Sequence, residues 1–143
     1  MATSGAVLTV INHEFIQANL TELGCELACW KKSLNTARVE IDNAFKCIPS
    51  TVPFTDDVSA ARDRASKNLD SSANKLEDQS VSYAEFKKHF PHEPMDTLCD
   101  ECWYFQGGVK RSIEIAKGCE QSAKETSLHF QNIAALHLAW MAK

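Results

Sequence analysis

Between Ile16 and Ile48 an apolar or small side chain recurs at alternating steps of four and three: Ile16, Leu20, Leu23, Leu27, Trp30, Leu34, Ala37, Ile41, Ala44 and Ile48. That rhythm lays ten side chains along one stripe of an α-helix, because residues three and four apart share a face. The positions between them carry Glu22, Glu26, Lys31, Lys32, Arg38, Glu40 and Asp42, so the opposite face is wet. A helix from about Asn12 to Cys47 built this way cannot stand alone, since its seam would lie in water. Cover has to come from the rest of the chain or from another copy.

The remaining segments supply candidates. Val7, Leu8, Val10 and Ile11 suit a lead-in strand or an added helical turn, the favoured reading being a turn that packs back on the seam. Gly24 costs the first helix about 1 kcal/mol against alanine, and a lone glycine there points to close approach of a neighbouring helix. Pro49 and Pro53 end the helix near Cys47, because proline lacks an N–H and restricts the residue before it. Thr55-Asp56-Asp57 is a capping sequence, the acids being favourable at a helix start. A second helix follows through Val58, Ala61, Ala65, Leu69, Leu76, Tyr83, Phe86 and Phe90. Its stretch from Arg62 to Gln79 is poor in large apolar groups and should be the least buried. Ser82 with Glu85 has capping-box spacing, which predicts a break near residue 81. Pro91 and Pro94 close this segment.

The third helix is expected from Asp96, through Leu98, Cys102, Phe105, Val109, Ala116, Ala123, Phe130, Ile133, His137 and Trp140, with a kink or split at Gly107-Gly108. Short proline-containing links between long helices predict an all-α chain, an antiparallel up-down bundle of three long helices, or four if the middle or last one breaks. Residues 1–143 are expected to form a single domain. The last helix exceeds the middle one by roughly a dozen residues, and an overhang carrying Phe130 and Trp140 would need a partner chain.

Composition narrows the function classes. A net charge of −4 with no more than two consecutive basic residues offers no electrostatic footprint for nucleic acid or an anionic membrane. No positively charged start followed by an apolar core marks a signal peptide, and no apolar run approaches the ~18 residues of a spanning helix. The expected location is cytoplasmic, where six cysteines serve as free thiols or ligands more readily than as disulfides.

The sharpest chemical constellation is His89-x2-His92-x6-Cys99-x2-Cys102, two imidazoles and two thiols of the kind tetrahedral zinc takes. The plainer alternative is a pair of exposed histidines at a helix end and two thiols at a helix start. The same Cys99-x2-Cys102 is a poor redox pair, because Asp96, Asp100 and Glu101 disfavour thiolate and no βαβ unit surrounds it. Cys25, Cys29, Cys47 and Cys119 are expected as buried small hydrophobes. His13-Glu14 opens like a helical zinc-protease motif but lacks the second histidine. Asp56, Asp57 and Asp63 fit capping and a solvated face better than a metal. His129 and His137 could share a face with Glu125, although a packed or surface pair is the simpler reading. The Asn-Leu-Thr sequon at Asn19 falls inside the seam helix and reads as accidental.

No serine-hydrolase elbow, phosphate loop or dinucleotide glycine run occurs. The sequence therefore points away from an enzyme, without a cofactor unless zinc is bound. It points to an interaction, scaffold or structural-assembly protein that self-associates or binds a protein partner. Trp103, Phe130, Ile133, Trp140 and Met141 are the candidate interface residues. The alternative is a zinc-binding regulatory or sensor protein using His89, His92, Cys99 and Cys102.

Overall fold

The computed structural model describes the backbone over residues 2–49, 56–89 and 100–141, and side chains at 14, 16–49, 57–88 and 107–140. Those residues form three helices, α1 (Ala2–Lys46), α2 (Asp56–His89) and α3 (Asp100–Met141), with no strand among them. The chain is an all-α three-helix bundle. Its contacts divide into two compact units, Met1–Ala28 with Leu76–Lys117, and Cys29–Lys75 with Gly118–Lys143. Each unit takes a segment of all three helices.

The seam is the core of both. Nine of its ten positions are buried, and Ala44 is half-buried. Burial of side chains such as Leu23, Trp30 and Ile41 contributes about 1.5–3 kcal/mol each. The helix closes where the prolines demand. Cys47 N–H donates to the Asn43 carbonyl in the α-helical pattern, Ile48 N–H tightens to the Phe45 carbonyl three residues back, and Pro49 follows. Lys46 in the last turn faces the negative end of the helix dipole.

In the first unit Ile16, Leu20, Leu23 and Leu27 of α1 are buried together with Val109, Ile113 and Ala116 of α3. The α2 segment adds only half-buried groups, Leu76, Tyr83 and Phe86 among them. Both glycine expectations are settled here. A Cβ on Gly24 would lie 2.5 Å from the Tyr83 hydroxyl oxygen, so the position serves close approach. Gly108 has the same use, since a Cβ there would stand 3.2 Å from the Phe86 ring. The split expected at Gly107-Gly108 is absent, α3 being one helix through both glycines. The break expected near residue 81 is likewise absent: α2 continues through Ser82 because Tyr83 and Phe86 keep its apolar phase. On the outer side of this unit Lys117 pairs with Glu22 at 3.1 Å.

In the second unit α1 supplies most of the bulk, joined by Val58 and Leu69 of α2 and Phe130 of α3. Trp30, Leu34, Ile41 and Ile48 are buried together with Val58, Ala61, Ala65 and Leu69 of α2 and with Ala123, Ser127, Phe130 and Ala134 of α3. The Trp30 indole N–H donates to the Ser72 hydroxyl at 2.9 Å, which satisfies a donor that burial would otherwise strand. Arg38 meets Asp70 at 2.9 Å and Arg62 meets Asp42 at 3.1 Å. As α1 numbers rise the α2 partners fall, the order that an antiparallel pair requires. Arg62 also lies over the Phe45 ring at 3.9 Å, and Gln131 donates to Glu40.

The expectation of buried thiols needs correcting. Cys25, Cys29 and Cys47 are exposed and free, and Cys119 is only half-buried and free. Cys29 and Cys47 sit one residue from the buried Trp30 and Ile48, and Cys25 sits two residues from Leu23 and Leu27, so helical phase overrides the preference of these three thiols for the interior. Asn19 is buried inside α1 and the Thr21 hydroxyl donates to the Gln17 carbonyl, so helix geometry occupies the sequon.

Candidate functional site

The carboxy-terminal half of α3 carries two apolar stripes instead of one. The inner stripe, Ala123, Ser127, Phe130, Ala134 and His137, is buried in the second unit. Off this stripe, Leu128, Leu136 and Trp140 are exposed at 58%, 71% and 70%. Steps of four carry the outer stripe from Leu128 through Asn132 and Leu136 to Trp140. Burial in a three-helix unit needs only the inner stripe.

Beside Trp140 lies a hollow of about 400 Å³ lined by Asp57 and Val58 of α2 and by Ile133, Leu136, His137 and Trp140 of α3. The lining is mainly apolar, with one carboxylate and one imidazole at its edge. His137 is 9% exposed, and its Nε2 is buried without a hydrogen-bond partner among the described residues. Further along the same two helices is a second hollow of about 310 Å³, floored by Ala61, Ala65 and Phe130 and edged by Arg64, Asn68, Ser122, Glu125, Thr126 and His129. It exists because α2 offers alanines at its inward positions. A third hollow of about 300 Å³, between α1 and α3, is lined by Cys29, Lys32, Ser33, Thr36, Glu120 and Lys124. Nearby, burial raises the Cys119 thiol pKa above its ordinary value, and the Lys75 ammonium opposes this more weakly. Cys119 is thus a poor nucleophile at neutral pH.

The sequence-predicted residues separate clearly. Trp140 is exposed and Ile133 half-buried on the rim of the first hollow. Phe130 is 1% exposed, so its ring is spent on this chain's own core and offers a partner no area. The side chains of Trp103 and Met141 lie outside the described residues, as do those of His89 and Cys102 and the whole of His92 and Cys99. Among the described residues no group of three or more His, Cys, Asp and Glu side chains is placed to hold a metal. His129 and His137 do not act as a pair, since His129 is exposed and His137 buried. Sequence reasoning missed Leu128 and Leu136. The signal was present: both fall out of phase with Phe130, Ala134 and His137, so they could not share that buried face.

The fold and this surface define a class, an all-α three-helix bundle with an apolar stripe left uncovered on its last helix. No protein-family model matches the chain, and neither does any curated protein or any solved structure.

Proposed function

We propose that the chain is a non-enzymatic interaction or structural-assembly protein that works in a cytoplasmic setting by self-association or by binding a protein partner through the outer stripe of α3. One observation carries this reading: Leu136 and Trp140, the two most exposed large apolar side chains described, are adjacent on one face beside an apolar hollow. Single exposed leucines are ordinary on a protein surface. A contiguous apolar patch with a hollow beside it is how association surfaces are built, and tryptophan is a frequent anchor in them. Covering these groups is favourable, whereas leaving them in water gains the isolated chain nothing. No helix among the described residues is long and apolar enough to cross a membrane.

The test is the double substitution Leu136→Asp with Trp140→Asp in the full chain. Both sites are exposed, so helicity should be unchanged and association lost, read by sedimentation and by chemical cross-linking in extract. Identical sedimentation and cross-linking profiles for the substituted and unsubstituted chains would contradict the proposal. Truncation after Glu125 is a poorer test, because it also removes Phe130 and Ala134 from the core.

A further inference from the structure

The second half of α2 docks without a buried side chain. Its inward positions step by three, four and three through Leu76, Gln79, Tyr83 and Phe86. Each of them is only half-buried, and no described residue from 70 to 88 is buried. Two of the four are rings set against glycines. A Cβ on Gly24 of α1 would lie 2.5 Å from the Tyr83 hydroxyl oxygen, and one on Gly108 of α3 would lie 3.2 Å from the Phe86 ring. Each neighbouring helix is thus gripped by one ring. Gln79 works against them. Its Oε1 is buried with no hydrogen-bond partner among the described residues, a cost that water removes once the segment lifts.

Upstream, α2 is tied down. Within the second unit Arg38 meets Asp70 and the Trp30 indole N–H donates to the Ser72 hydroxyl, both at 2.9 Å. α2 enters the first unit at Leu76, so residues 73–75 lie between the last of these ties and the first docked side chain.

We infer that residues 76–88 are a strap, latched by Tyr83 on Gly24 and by Phe86 on Gly108, which lifts and closes as one piece about residues 73–75. Docking covers little apolar surface and strands a carbonyl oxygen, so lifting the strap costs far less than unfolding the chain. Beside the two glycines stand Leu23 and Val109, both 0% exposed with the strap closed. Lifting gives water a route to them. The second unit keeps its core, because Val58, Ala61, Ala65 and Leu69 all precede the hinge. A strap differs from a fraying helix end, which loosens residue by residue from its tip inward. Two latches on two helices make the release a single step.

Native-state hydrogen exchange of the full chain, read amide by amide by NMR over a series of sub-denaturing urea concentrations, tests this. Amides over 76–88 should share one opening step, easier than that of 58–69. Tyr83→Ala and Phe86→Ala should each raise the opening of the whole stretch at least about tenfold, with 58–69 unchanged. Gly24→Ala, a change on another helix, should raise the opening of the same amides by crowding Tyr83. Gln79→Leu, which removes the stranded oxygen, should lower it. Alkylation of the thiol placed by Leu23→Cys should follow the strap's opening equilibrium.

Exchange that rises steadily towards His89 overturns the inference, as does one opening step shared by 58–69 and 76–88. A Tyr83→Ala effect confined to adjacent amides, or a Gly24→Ala chain with unchanged exchange over 76–88, overturns the latches. Alkylation of Leu23→Cys only at the rate of global unfolding overturns the claim that lifting uncovers the α1–α3 pair.

Discussion

Individual side chains in this bundle are constrained mainly by what stands opposite them. Gly24 faces the Tyr83 hydroxyl at a distance no methyl group tolerates. Gly24→Ala should therefore cost about 1 kcal/mol, and the same change in a Tyr83→Ala background should gain up to about 1 kcal/mol from helix propensity. Denaturant unfolding of the four chains in this cycle gives the coupling; equal effects in both backgrounds would refute the close-approach explanation. Ser72→Ala leaves the buried Trp30 indole N–H unpaired and should destabilise by about 1 kcal/mol. Cys119 has a distinct pH signature. Because burial raises its folded pKa, the thiol ionises first in the unfolded chain as pH rises past the ordinary value of 9.0. Its contribution is fully present below that value and is lost above it as pH rises through the folded pKa. Alkylation followed by mass spectrometry should label exposed Cys25, Cys29 and Cys47 well before Cys119, and parity among the four would contradict its burial.

At the level of whole helices, α2 should be uneven. Its four buried residues, Val58, Ala61, Ala65 and Leu69, all lie in its first half, and residues 70–88 contain none. Amides over 70–88 should exchange at least about tenfold faster than those over 58–69, since local opening there uncovers little apolar surface. The sequence places the thin stretch at Arg62–Gln79, but Ala65 and Leu69 within it are buried, because small side chains such as that of Ala65 reach the core that a search for large apolar groups overlooks. The seam of α1 was legible because its period of three and four is long enough to outvote any local propensity. What misled was punctuation. Ser82 with Glu85 resembles a helix start, and Gly107-Gly108 a place to split a helix, yet helix runs through both. Gly108 serves Phe86, a relation between distant residues that no local pattern shows. The exposed cysteines and the buried Phe130 were misjudged through residue type, when position on the helical wheel decided each.

For the molecule as a whole, the surplus apolar stripe on α3 is what separates this bundle from a helical unit that merely buries its own core. The inner stripe stabilises the chain, and the outer stripe is proposed to bring a second chain to it. If so, Leu136 and Trp140 leave water on association. The exposed valines Val39 and Val81 lie off this stripe and should keep their access to solvent. Hydroxyl-radical footprinting across a concentration series reads both groups in one experiment. Protection of Leu136 and Trp140 should rise with protein concentration while Val39 and Val81 stay constant. Equal reactivity of Leu136 and Trp140 at the lowest and highest concentrations would contradict the self-association account.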